Sequence, residues 1–194
     1  MIKASTFPNI DRALKDLRLG KMIVLFDHEN RENEGDAVMA AEFATPEWIA
    51  WMIRRTSGYL CAPMTEQIAN RLDLPLMAKS NQDRLRTQYT ISVDVAADTT
   101  TGISAGDRAL TLQALADPAT EPGDLIRPGH IIPLRAHHEG VLARPGHTEA
   151  TVDLLKLAGL NPVGVIGEMT ETDGTMPRLP RLLEIGAEEG IPVI

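Results

Sequence analysis

One cysteine, Cys61, stands in the 194 residues. A lone thiol cannot close an internal disulfide, which suits a reducing compartment, and it excludes a cysteine-built zinc site. Aromatic residues are scarce: three Phe, two Trp and two Tyr make no base-stacking platform for nucleic acid. Positive charge is short, with 19 Lys and Arg against 27 Asp and Glu and a net charge of -8. Such a surface repels a phosphate backbone rather than gathering it. The longest apolar runs, Met22–Phe26 and Trp48–Ile53, fall far below the ~20 residues of a membrane span. No basic segment leads into an apolar stretch at the start of the chain, so no secretory signal is expected. Also missing are a Gly-rich dinucleotide fingerprint, a Walker loop and a Gly-x-Ser-x-Gly elbow. Nucleic-acid and membrane partners, nicotinamide redox chemistry and P-loop hydrolysis are therefore unsupported, and a cytoplasmic location is expected.

What is there is ordinary globular composition, 43% hydrophobic and 24% charged. One domain over residues 1–194 is expected, because a chain of this size buries roughly 70% of its unfolded surface. Asn9–Gly20 reads as an amphipathic helix, with Ile10, Ala13, Leu14 and Leu17 on one face and Gly20 as its stop. Lys21–Asp27 reads as a buried strand, residues 28–35 as a polar loop, and Asp36–Ala41 as a second strand. Thr45 and Pro46 start a helix that runs to Arg54 and Arg55. Tyr59–Ala62 and Tyr89–Val95 are strand candidates, and Ser104 with Asp107 resembles a cap in front of a helix over Ala109–Ala116. Ile131–Arg135 is a further strand and Thr148–Ala158 a helix closed by Gly159. Pro162–Met169 is strand-like, Asp173-Gly174 a turn, and Leu179–Glu189 a last helix. Strands and helices interleave, so an α/β or α+β layered domain is expected.

Three places carry unusual residues. Between Asp27 and Asp36, five carboxylates crowd into ten residues at the end of an apolar strand. A hard divalent cation needs only one or two of them, since it keeps several waters. Glu32, Glu34 and Asp36 alternate, so an extended segment would point all three to one side. Arg31 among them can neutralise its neighbours or hold an anionic substrate group; a solvated acidic loop is the plain alternative. Second, Arg127-Pro128-Gly129-His130 recurs as Arg144-Pro145-Gly146-His147. Each copy is expected to be a tight Pro-Gly bend that presents an arginine and a histidine, though such turns are also common surface punctuation. The second copy runs into the helix near Thr148, whose N-terminal amides, with Arg144, the Gly146 amide and the Thr148 hydroxyl, can cradle a phosphate. Pro145 brings no N–H, and Glu149 in the first turn already complements the helix charge. Third, Glu168 ends an apolar strand, where a partly desolvated carboxylate suits proton transfer.

Together these residues closely resemble the 3,4-dihydroxy-2-butanone 4-phosphate synthase family. The pieces that carry the resemblance, in order, are Arg31-Glu32-Asn33-Glu34-Gly35-Asp36, Thr101-Gly102-Ile103-Ser104 with Asp107-Arg108-Ala109, and Arg127-Pro128-Gly129-His130. Gly146-His147-Thr148-Glu149-Ala150 and Asp173-Gly174-Thr175-Met176 follow. The resemblance implies conversion of D-ribulose 5-phosphate into L-3,4-dihydroxy-2-butanone 4-phosphate and formate in riboflavin biosynthesis, a lyase reaction of enolisation, dehydration, skeletal rearrangement and loss of C4. It implies Mg²⁺ as the usual metal, with Mn²⁺ as an alternative, held by Glu32 and His147. It implies His130 and Glu168 as the catalytic pair. The substrate-binding positions it implies are Arg31, Glu32, Asp36, Arg144, Pro145, Gly146, His147, Thr148 and Glu168. The implied fold is one three-layer domain with a mixed β-sheet between helices, and the implied assembly a homodimer with active sites near the interface. A further C-terminal segment, or a fused GTP cyclohydrolase II domain, is left open by that resemblance. The residues alone also admit a Mg²⁺-dependent sugar-phosphate hydrolase or isomerase, or a non-catalytic phosphometabolite-binding module.

Overall fold

The computed structural model describes residues 8–194. The helices are α1 (Pro8–Arg18), α2 (Pro46–Arg55), α3 (Glu66–Arg71), α4 (Ala105–Ala116), α5 (His147–Ala158) and α6 (Leu179–Glu189). The strands are β1 (Ile23–Phe26), β2 (Gly35–Ala40), β3 (Cys61–Thr65), β4 (Val93–Val95), β5 (Leu125–Ala136) and β6 (Gly164–Glu168). All six strands form one sheet in the order β1-β2-β6-β3-β5-β4. Only β3 and β5 run parallel; the other pairs are antiparallel, so the sheet is mixed as expected.

Strand alternation sorts the core into two layers. Met22, Val24, Ala37, Met39, Ala62 and Val165 pack with Ile49 and Met52 of α2, Leu112 and Leu115 of α4, and Leu182 of α6. Ile23, Leu25, Val38, Ala40, Cys61 and Ile166 pack on the other face with Ala13 and Leu17 of α1 and Leu154 and Leu155 of α5. Because helices cover both faces, β2 is buried at every position and reads as a nearly unbroken apolar run. The helix ends follow local chemistry. Thr45 Oγ1 accepts the Trp48 amide, Ser104 Oγ accepts the Asp107 amide, and Gly159 closes α5 at φ 75.

Several boundaries differ from the sequence reading. β3 covers Cys61–Thr65 rather than 59–62. Only Val93–Val95 of the 89–95 candidate is a strand, with isolated bridges at Tyr89 and Thr90 before it. The short helix α3, capped by Thr65, had no periodic run long enough to announce it.

The largest difference concerns the first Arg-Pro-Gly-His copy, which is no separate turn but lies inside β5. There Val93 pairs with Ile131 while Asp94 pairs with Ile126, so residues 127–130 bulge out of the ladder. The proline, which has no amide to donate, and the glycine are tolerated because the ladder is interrupted there. Gly129 lies so close to the backbone of Val93 and Asp94 that a side chain would collide with it. The bulge turns His130 onto Asp94. The second copy behaves as expected: its Gly146 is the N-cap of α5.

Candidate active site

The acidic loop, the end of β6 and the start of α5 meet in one cleft. Among its lining residues are Arg31, Glu32, Glu34, Asp36, Arg144, His147, Thr148 and Glu168. Asp36 and Glu168 face each other as a register pair across β2 and β6, which is why a sequence separation of 132 residues disappears in space.

Asp27 shapes the loop. Its carboxylate accepts from the amides of Glu32 at 3.0 Å and Glu34 at 3.1 Å and from Arg31 Nη1 at 2.9 Å. Burial opposes its charge, but these donors outweigh burial, and Asp27 titrates below the usual carboxylate range. Asn33 adopts φ 56, so the segment is not extended. Glu32, Glu34 and Asp36 nevertheless reach the same cleft, through the loop's curvature rather than strand alternation.

Glu32 joins the two ends of the site: its Oε2 lies 2.5 Å from Arg31 Nη1 and 3.4 Å from His147 Nδ1. Burial would raise its pKa, but the His147 hydrogen bond and Arg31 prevail and lower it. His147, nearly buried, would lose its proton to desolvation, yet Asp36, Glu32 and Asp27 together raise its pKa. Asp36 is driven up to about 7, first by burial and then by Glu168, Glu32 and Glu34, with His147 opposing. His147 Nδ1 is 3.5 Å from Asp36 Oδ1.

These donors fit a hard divalent cation. Ligand atoms of Asp27, Glu32 and His147 all lie within 4.8 Å of one another. Asp36 Oδ1 and His147 Nε2 are buried without a hydrogen-bond partner, an arrangement that is costly unless something else engages them. Glu32 and His147 are the ligand pair expected from the sequence. Asp27 is a third donor that the sequence reading counted only among the carboxylates, since its distance from His147 is a tertiary fact.

Adjoining this cluster through Arg31 and His147 is an anion cradle. No side chain caps α5, so its first-turn amides keep their donors available. A Cβ on Gly146 would fall 2.5 Å from Arg144 Nη1 and 2.9 Å from Arg31 Nη2. Glycine therefore lets two guanidinium groups converge over the helix start. Glu149, in the first turn, offsets part of that positive charge, its Oε2 3.1 Å from the same Cβ position. Its carboxylate accepts from Arg144 Nη1 at 2.5 Å and from the His137 amide at 2.9 Å, and so it orients Arg144, which also donates to Leu85 O and Thr87 Oγ1. Thr148 lines the cleft, whereas Pro145 lines an adjoining depression with Asp27 and His28.

Tyr59, Cys61, Thr87 and Tyr89 form part of the remaining wall. Burial pushes the Cys61 thiol up, away from the nucleophilic thiolate, and its side chain packs in the core as expected.

His130 is not among the lining residues of this cleft. Glu168 ends β6, and on the far side of β3 the bulge of β5 carries His130. Its ring turns instead to Asp94: Nδ1 lies 2.7 Å from Oδ2, and the His130 amide donates to Oδ1 at 2.9 Å. Gly102, at φ 88, closes over this pair, and a Cβ there would meet Asp94 and sit 2.7 Å from His130 Nδ1. In the sequence Asp94 is one more residue of a strand candidate and carries no local signal of its partner.

A consequence of the Asp36 environment can be measured. In the unfolded chain its carboxyl titrates near 3.8, and in the folded protein near 7. Its contribution to stability is therefore complete below about pH 4 and is lost as pH rises toward 7, where the folded state must bury a charge. Asp36→Asn is expected to be more stable than the wild type at pH 8 in chelator, an advantage that shrinks toward pH 4. Thermal unfolding across that range checks it, and a constant difference would refute it.

Comparison with known proteins agrees with this geometry. The family model described as 3,4-dihydroxy-2-butanone 4-phosphate synthase matches residues 11–194. The riboflavin biosynthesis protein RibBA of Salinispora arenicola (strain CNS-205) is 54% identical over 190 residues, covering 98% of this chain and 45% of that protein. The chain thus spans about half the length of the first curated relatives it matches. The 3,4-dihydroxy-2-butanone 4-phosphate synthase of Saccharomyces cerevisiae (strain ATCC 204508 / S288c) is 50% identical over 196 residues, 97% of this chain and 94% of that protein. A crystal structure of a synthase of this name in complex with two magnesium ions superposes with a TM-score of 0.91 at 43% identity, covering 95% of this chain and 91% of that one. With its mixed sheet, its acidic loop and its ordered motifs, this chain belongs to the 3,4-dihydroxy-2-butanone 4-phosphate synthase family.

Proposed function

We propose that the chain converts D-ribulose 5-phosphate into L-3,4-dihydroxy-2-butanone 4-phosphate and formate, with Mg²⁺ held by Glu32 and His147. One observation carries this reading: a two-arginine, helix-start anion cradle adjoins a cluster of carboxylates and an imidazole in one site. A phosphorylated polyol ketone offers a group to each, a dianion to the cradle and acidic hydroxyls to the cluster. Named relatives in riboflavin biosynthesis and a relative bound to magnesium support it.

Arg31, Arg144, Thr148 and the first amides of α5 bind the phosphate. Asp36 and Glu32 accept hydrogen bonds from substrate hydroxyls and fix which carbon faces Glu168. Glu168 and His130 take and return the protons of enolisation and dehydration. When bound, the cation stabilises negative charge that develops on the enediolate oxygens. The substrate equals the sum of the two products atom for atom, so the rearrangement draws on no oxidant, reductant or nucleotide. This agrees with the missing nucleotide motifs.

The working assembly in this proposal is a cytoplasmic homodimer in which these 194 residues form one domain. The half-exposed His130 ring and the exposed Tyr59, Ile103 and Ile126 support it, since a face that covers them would bring His130 to a second cleft. Among the described residues no helix is long and apolar enough to cross a membrane.

The test uses ribulose 5-phosphate labelled with ¹³C at C4, incubated with protein and Mg²⁺ or with EDTA and followed by NMR. Labelled formate is expected with metal alone. Phosphate release without formate would assign a hydrolase, a new sugar phosphate an isomerase, and unchanged substrate that still binds a binding module; each outcome overturns the proposal.

A further inference from the structure

We infer that Ser57 is a positioning residue: its hydroxyl tethers one oxygen of the Glu168 carboxylate and so aims the other into the cleft. The inference rests on the proton-transfer role proposed for Glu168.

The loop from Thr56 to Tyr59 crosses the end of β6. Thr56, the C-cap of α2, donates from its amide and from Oγ1 to Met52 O, and Oγ1 accepts the Gly58 amide at 3.1 Å. Thr56 also bridges to Met169, the residue after Glu168. A Cβ on Gly167 would sit 2.9 Å from Thr56 Oγ1, so the loop lies hard against the strand. From the opposite side the buried Arg108 donates Nη1 to Gly58 O at 3.1 Å. α2, α4 and β6 thus all hold this short loop.

Ser57 makes two bonds to the same residue. Its amide donates to Glu168 O at 2.7 Å, and its Oγ donates to Glu168 Oε2 at 2.8 Å. The direction of the second bond is determined, because Ser57 Oγ also accepts the Tyr59 amide at 3.3 Å. A hydroxyl has one proton, and a carboxylate on one side with an N–H on the other leaves that proton only one place to go. Among the described residues, no other side chain hydrogen-bonds to Glu168, so Oε1 carries none of these tethers. A carboxylate that must take a proton from carbon gains from a fixed rotamer, since misplacement by a fraction of an ångström is costly in rate.

Four proteins test this in the formate assay: Ser57→Ala, Ser57→Thr, Glu168→Gln and the Ser57→Ala/Glu168→Gln double variant. Ser57→Ala is expected to lower kcat about tenfold or more, the worth of a hydrogen bond to a charged group, with KM within about twofold. Ser57→Thr keeps a hydroxyl and is expected to recover most of the rate. In the Glu168→Gln background, Ser57→Ala should cost almost nothing more, because both act through one group. A kcat loss below twofold, a loss confined to KM, a Thr variant no better than Ala, or additive losses would each overturn the inference. A crystal structure of Ser57→Ala gives a readout independent of turnover. The Glu168 carboxylate should leave the position it holds in the wild type; if it stays, the inference fails. Should the wild type release no formate while this displacement is seen, the reaction assigned above falls and the tether stands.

Discussion

Glu32→Gln is expected to lower Mg²⁺-dependent formate release by more than about a hundredfold, the upper range for removing even an outer partner of a metal site. Glu32 touches both halves of the site, 2.5 Å from Arg31 Nη1 and 3.4 Å from His147 Nδ1. The amide keeps the size of the side chain and removes the charge that balances Arg31 and His147. The fold should survive. Asp27 still holds Arg31 and the loop amides, and the Glu32 side chain is partly exposed, so no buried void opens. Calorimetric titration with Mg²⁺ should show weakened binding in parallel with the lost rate, while the thermal midpoint in EDTA moves little. Full activity in the variant would remove Glu32 from the metal site.

The second large effect is expected at Asp94, which no motif singled out. Asp94→Asn should reduce kcat by about two orders of magnitude, the scale of losing one acid–base group, with KM little changed. The aspartate holds both the amide and the ring Nδ1 of His130. It thereby places the exchangeable site on Nε2 and fixes the ring plane. An asparagine that turns its NH₂ toward the ring would select the other tautomer. Steady-state kinetics read the effect; a kcat within threefold of wild type would show that His130 needs no such partner. The same pair tests the proposed dimer. If His130 serves the cleft of a second subunit, co-expressed Asp94→Asn and Glu168→Gln chains should regain about a quarter of wild-type activity, because half the dimers carry one intact site of two. If both groups act within one chain, the mixture stays as inactive as its components.

Much of the candidate site was legible because its parts are contiguous. Arg31 and Glu32 share one loop that runs into Asp36 at the start of β2; Arg144, Gly146, His147 and Thr148 share one helix start; Glu168 ends a strand whose apolar run marks it. In each case local chemistry states the role, since a helix N-terminus binds anions wherever it lies and a strand end is where burial gives way to solvent. What failed was inference from local form to orientation. The two Arg-Pro-Gly-His copies are identical, yet one is a bulge in β5 and the other opens α5. Glu149 does stand at the helix start, as its first-turn position implies, but its bonds to Arg144 and the His137 amide come from the fold. A tetrapeptide has too few contacts of its own to outweigh a sheet ladder or a helix.

By itself, then, the sequence determined the layered α/β class, most helices and strands, and the chemical inventory of the site. Periodicity, caps and charge clusters act within a few residues and need no distant partner. Only the tertiary structure decided that Asp36 sits opposite Glu168, that Asp27 stands within ligand distance of His147, that Ser57 tethers Glu168, and that His130 faces Asp94 outside the cleft. Those pairings come from strand order and register, which are selected by burying both faces of the sheet at once. No local stretch of chain contains that free energy, so none could announce it.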